Sequence, residues 1–198
     1  MASSSIDSRV FGVLFASEDM KKIFSDENRV QKWLDTEAAL ARAQAKLGII
    51  EPHRAEQITK FARAELLNLD AIGENYKSSI TIVPLLKEFK KVFDDDSGEF
   101  VHWGATSQDI MDNGMILQIR EAHALLVKLL DKTYRECLRI AEKYKNTVMA
   151  GRTHVIHALP ITFGFKVAMW AQEIKRSLDR LEEIKPRLFV GQLSGAAR

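Results

Sequence analysis

Residues 115–150 read MILQIREAHALLVKLLDKTYRECLRIAEKYKNTVMA, a stretch with neither glycine nor proline. Within it Met115, Ile119, Ala122, Leu126, Leu129, Thr133, Cys137, Ile140 and Tyr144 succeed one another by steps of four and three. At 3.6 residues per turn such positions return to one face, so the spacing predicts one long helix with an apolar stripe. A helix of roughly 35 residues is about 50 Å long, more than an ordinary globular helix needs, and it predicts a long bundle. A second stretch without glycine, Phe165 to Lys185, carries Val167, Trp170, Ala171, Ile174, Leu178, Leu181 and Ile184 at helical spacing, and is expected to stop before Pro186.

Upstream the pattern shortens. Ser25-Asp26-Glu27-Asn28 precedes a helical run (Val30, Trp33, Leu34, Ala38, Leu40, Ala41, Ala45) that closes near Gly48. The leading acids suit the positive end of a helix. Shorter helical patterns follow at Arg54–Ala64 and Leu69–Tyr76. Ser79–Val83 is a β-branched run before Pro84, read as a strand or an extended loop, and Asp94–Gly98 is a polar turn. The expected fold class is all-α, with a small helical N-terminal domain over residues 1–100 and the start of a long-helix bundle domain over 101–198.

Hydrophobic residues make up 46% of the chain and charged residues 28%, which is enough apolar material for a core and argues against disorder. The 29 basic and 27 acidic residues are interleaved and leave a net charge of +2, which gives no reason to expect a nucleic acid or membrane partner. Cys137 has no second cysteine to pair with, and its apolar neighbours suit a small buried side chain in a reducing compartment. Met1–Val10 lacks the apolar core of a signal peptide, and no run of 18 apolar residues occurs, so a cytoplasmic protein is expected.

Three segments hold residues with chemistry. His102-Trp103-Gly104-Ala105-Thr106-Ser107-Gln108-Asp109 leads straight into the long helix. Thr106 or Ser107 can serve as a helix cap with His102 a satisfied loop histidine. Alternatively, the exposed N–H groups, two hydroxyls and the positive dipole end make a carboxylate site. Gly151-Arg152-Thr153-His154-Val155-Ile156-His157-Ala158-Leu159-Pro160 falls in the break between the two long helices. It gathers two imidazoles, a guanidinium and a hydroxyl, suited to proton transfer and carboxylate pairing, or it is a loop with one capping and one surface histidine. His154 and His157 are spaced like a metal pair, but no nearby carboxylate or thiolate completes a site, so no metal and no cofactor are expected. Gly191-Gln192-Leu193-Ser194-Gly195 is a polar turn after the second helix. Phosphate-loop, dinucleotide and nucleophile-elbow signatures are absent from the sequence.

Together these segments resemble the ordered motifs of the fumarase/aspartase superfamily. Residues His102–Asp112 resemble its H-x-G-x-T-S-x-D-x-x-D region, and Gly151–His154 with Ala158–Gly164 resembles its G-R-T-H…A-x-P-x-T-x-G region. Ile23–Arg29 and Glu37–Ala41 resemble its opening helices. The resemblance implies a homotetramer with a central bundle and active sites shared between subunits, acting on a small carboxylated substrate. It implies that Thr106 and Ser107 bind a substrate carboxylate and that Thr153 and His154 face the same pocket, with His154 as proton donor to the leaving group or its orienting partner. His157 and Gln192 are implied as further substrate contacts. The reaction so implied removes a proton beside a carboxylate, forms an aci-carboxylate and expels the neighbouring C–N or C–O group, commonly with fumarate as product.

Two branches compete. Gly104–Asp109, Arg63-Ala64-Glu65-Leu66 and Lys185-Pro186-Arg187-Leu188 look most like the 3-carboxy-cis,cis-muconate cycloisomerase branch, which usually has Trp where this chain has His154. The adenylosuccinate lyase branch has His there, but also an Arg-Tyr pair and a further histidine where this chain has Leu14-Phe15 and Ile80. The superfamily's general base is a serine in a Gly-Ser-Ser-x-Met-Pro-x-Lys-x-Asn segment that does not occur in these 198 residues. The chain alone is therefore expected to be inactive and to be a front portion of a lyase subunit, or else a non-catalytic helical assembly protein.

Overall fold

A computed structural model describes residues 4–77, 79 and 81–197. Met1–Ser3, Ser78, Arg198 and Ile80, the last placed above where one branch has a histidine, lie outside them. The described chain is all-α apart from one hairpin: α1 (Glu18–Ile23), α2 (Asp26–Lys46), α3 (Pro52–Phe61), α4 (Leu69–Asn75), α5 (Val83–Lys90), α6 (Ser107–Lys143), β1 (Val148–Thr153), β2 (Ile156–Thr162) and α7 (Phe163–Leu188). It divides into two compact units, one formed by residues 1–121 with 189–198 and the other by 122–188.

The first unit is built on α2. Ser25 caps it by accepting the Asn28 N–H at 3.2 Å, and Val30, Leu34, Ala38 and Ala41 form its buried stripe. Ile58 of α3 and Leu85 and Phe89 of α5 complete the core with Ile72, Ile82 and Ile110, and Leu34, Ile58, Leu85 and Phe89 are fully buried. Burial of such side chains stabilises the unit by about 1.5–3 kcal/mol each. Trp33 lies against α6 because Gly114 has no side chain there: a Cβ would meet the indole at 2.4 Å. Thr81 and Ile82 form a turn and Val83 opens α5, so these residues are not the strand or extended loop considered above. Pro84 decides this, since its fixed φ and missing N–H suit a first helical turn. The expected turn at Asp94–Gly98 runs into a 3-10 turn at Asp96–Phe100.

The second unit holds residues 122–143 of α6, the hairpin and α7. His123 is buried, its Nε2 donating to the Leu181 carbonyl at 2.9 Å. Gly164 sits so close to the end of α6 that a Cβ would meet the Ala141 carbonyl at 2.4 Å, and Tyr144 packs edge-on against Phe163. Two expectations are corrected here. The long helix ends at Lys143, after which Val148–Thr153 is a strand, so the predicted break between the helices is an antiparallel hairpin. The last helix also runs through Pro186 to Leu188. The lost hydrogen bond falls in the final turn, where little helix remains to be disrupted. The stripe of α6 is only partly covered by this chain, with Leu126 and Leu129 exposed, as are Met169 and Trp170 on α7. Cys137 is half-buried. No helix among the described residues is long and apolar enough to cross a membrane.

Candidate functional site

The start of α6 is organised by buried polar side chains. Thr106 and Ser107 are half-buried at the helix start. The Thr106 N–H goes to Asp109 Oδ2 at 2.9 Å, the return bond of a capping box, in which the third helical residue reaches back to the cap. The Ser107 hydroxyl donates to Thr81 Oγ1 at 2.9 Å. The turn ahead of the helix is held from α2. Glu37, with a fully buried side chain, accepts the His102 N–H at 3.0 Å and the ring Nδ1 at 2.7 Å. His102 has φ +66°, a conformation a non-glycine residue keeps only where its surroundings fix it. Gln44 donates to the Trp103 carbonyl at 2.7 Å.

Gln192 is brought to the same helix. Its side-chain amide donates to Asp112 Oδ2 at 2.7 Å, its carbonyl accepts from Asn113 Nδ2 at 2.6 Å, and Ser194 and Gly195 give their N–H groups to Asp109 at 3.0 Å. A cavity of about 390 Å³ in this unit is lined by Leu40, Ala43, Ile110, Ile116, Gln192 and Leu193 among others. Thr106, Ser107 and Gln192 therefore share the first two turns of α6, which offer hydroxyls, an amide and helix N–H donors suited to an anion.

Thr153, His154 and His157 belong to the second unit. Thr153 pairs with Ile156 and Arg152 with His157, which leaves His154 and Val155 as a two-residue hairpin turn. Both have positive φ, +46° and +69°, as the type I′ turn of a tight hairpin requires. The pairing puts Arg152 and His157 on one face of the ribbon and Thr153 on the other, so Thr153 and His157 point to opposite sides. All of these side chains are exposed. Val155 is 87% exposed, and a β-branched residue with positive φ costs about 1–2 kcal/mol. Val155→Gly is accordingly expected to stabilise the protein against denaturant by about 1 kcal/mol; an unchanged or lower midpoint would mean that the valine side chain gains as much elsewhere as its backbone loses.

Glu37 and Asp109 stood within quoted motifs without a role of their own, and Asn113 was not singled out from the sequence. The first had a visible signal, an acid within the apolar stripe of α2, where an unpaired carboxylate is not tolerated. Asp109 has one local partner, the Thr106 N–H of the capping box, but its other partners lie 85 and 86 residues along the chain, and nothing local announces those. Among the described residues no group of three or more histidine, cysteine, aspartate or glutamate side chains is placed to hold a metal ion.

Residues 14–198 match a family model described as Lyase, and the chain belongs to that family, of the fumarase/aspartase type. It is 39% identical over 197 residues to an N-acetyl-S-(2-succino)cysteine lyase of Enterococcus italicus, covering 99% of this chain and 43% of that protein. It is 39% identical over 183 residues to an adenylosuccinate lyase of Methanocaldococcus jannaschii, covering 92% of this chain and 40% of that one. Among solved structures, β-carboxy-cis,cis-muconate cycloisomerase from Acinetobacter calcoaceticus superimposes with a TM-score of 0.89 at 39% identity, covering 95% of this chain and 45% of its own. The chain thus spans less than half the length of these relatives.

Proposed function

We propose that this chain supplies the carboxylate-binding and acid parts of an enzyme that eliminates a leaving group beside a carboxylate and yields a fumarate-type product. The observation that carries this is His154 at the apex of a tight, exposed hairpin in a chain of the lyase family. In the reaction, Thr106, Ser107 and Gln192 hold a substrate carboxylate at the start of α6. A base elsewhere in the assembled protein takes the proton next to that carboxylate. The electron pair passes through an aci-carboxylate to form the carbon–carbon double bond as the C–N, C–O or C–S bond breaks. His154 gives its proton to the departing atom, with Thr153 in the same pocket; His157, on the other face of the ribbon, is left out of that pocket. Aimed donors favour the dianion because they are in place before the charge develops.

The exposed apolar positions Leu126, Leu129, Met169 and Trp170 support faces that meet other copies, which we assign to a homotetramer, and we assign the enzyme to the cytoplasm. Cycloisomerisation of 3-carboxy-cis,cis-muconate, the reverse type of addition, is the second reading, favoured by the TM-score of 0.89 to a cycloisomerase. The test is to incubate the whole protein with adenylosuccinate, argininosuccinate, aspartate, N-acetyl-S-(2-succino)cysteine and 3-carboxy-cis,cis-muconate. Fumarate release from one of the first four names the lyase substrate, and lactone formation selects the cycloisomerase. No turnover of any would leave a helical assembly protein without the chemistry.

A further inference from the structure

Asp109 and Asn113 stand one helical turn apart on one face of α6, and each grips the same distant segment. Asp109 is fully buried. Its Oδ1 accepts the Ser194 N–H at 3.0 Å and lies 3.4 Å from the Ser194 hydroxyl, and its Oδ2 accepts the Gly195 N–H at 3.0 Å as well as the Thr106 N–H at 2.9 Å. Asn113 takes the Gln192 N–H on Oδ1 at 3.2 Å and gives its amide hydrogens to the Gln192 carbonyl at 2.6 Å and to the Asp109 carbonyl at 2.6 Å. A Cβ on Gly191 would sit 2.8 Å from Asn113 Oδ1, so the residue before Gln192 leaves room for this approach.

We infer that Asp109 and Asn113 form a two-point clamp that positions Gln192 for substrate binding, neither of them touching substrate. The inference rests on the reading that Thr106, Ser107 and Gln192 receive a carboxylate. A single buried carboxylate shared by the Thr106 N–H and the N–H groups of Ser194 and Gly195 ties the helix start and the Gln192 segment to one point, so neither can shift without the other. Asn113 fixes the near end of that segment through its main chain. Gln192 is left with only its side chain to turn, from Asp112 toward a ligand. Preorganisation of this kind lowers the ordering cost of binding.

The test uses the whole protein, with succinate as the probe, followed at the Ser107 and Gln192 amides by NMR. Asp109→Asn places a donor among N–H donors, and Asn113→Ala removes the second grip while leaving the α6 cap intact. In both variants the Kd for succinate is expected to rise at least about tenfold. Exchange of the Ser194 and Gly195 amides is expected to quicken about a hundredfold in Asp109→Asn. Asn113→Ala is expected to keep the melting temperature of the unmodified protein, which separates positioning from loss of fold. Unaltered succinate affinity in Asn113→Ala, or no succinate binding by the unmodified protein, overturns the clamp. If succinate binds and both variants weaken it, yet no succinyl compound is cleaved, the lyase reading falls and the clamp stands.

Discussion

His154→Asn is expected to lower turnover by about 10²–10⁴-fold, the usual contribution of a positioned general acid. Asparagine suits the test because it tolerates positive φ far better than most residues, so the hairpin apex at φ +46° is kept while the titrating group is lost. The side chain is exposed, so the melting temperature should stay where it is. KM should move little, because the proton is needed at the departing atom and not for holding the carboxylate. A variant whose turnover stays within tenfold of the unmodified protein would remove His154 from the reaction. Parallel losses in turnover and melting temperature would point to the hairpin instead.

The largest expected loss of stability is at the opposite kind of position. Phe89→Ala should cost about 3–5 kcal/mol, the range for deleting a buried aromatic ring. Phe89 is fully buried on α5, with its ring centroid 5.1 Å from that of Phe93, which in turn meets Phe61 of α3 edge-on at 5.6 Å. Removing the ring leaves a hole in a core drawn from α2, α3 and α5, and helices tied by short turns cannot collapse fully into it. Since domains of ordinary size are stable by about 5–15 kcal/mol, the first unit would be left near its limit. Urea unfolding followed at Trp33, which packs on this core, measures the loss, and a cost below about 1 kcal/mol would mean that α5 closes over the gap.

What the sequence made legible was whatever repeats at 3.6 residues. The stripe from Met115 to Tyr144 marks α6, and the run from Ser25 to Gly48 marks α2 with its cap. The hairpin was hidden for a physical reason. β2 is exposed from Ile156 to Pro160 and β1 buries only Gly151, so the alternation that betrays a half-buried strand was never written. Its turn was disguised as well, since His154-Val155 stands where Asn-Gly would have announced it. The loop motifs named Thr106, Ser107, His154 and Gln192 as candidates, and the structure places the first two and Gln192 at the start of α6 and His154 at the hairpin apex. Their neighbours could not be read because Glu37 meets His102 across 65 residues and Asp109 meets Ser194 across 85. Such pairs leave no periodic trace.

The first unit is also interrupted: residues 122–188 fold into the other unit before residues 189–198 return to it. On a ribosome the Asp109 carboxylate therefore emerges long before Ser194 and Gly195, and must stay hydrated until they arrive. Joining ends about 85 residues apart costs on the order of 4 kcal/mol in chain entropy when the intervening chain is loose. Prior folding of that insert shortens the effective tether and reduces the cost. The order of synthesis thus favours making the helical insert first and joining the Gln192 segment to α6 afterwards, so that the grip of Asp109 on that segment closes only once the insert has been made.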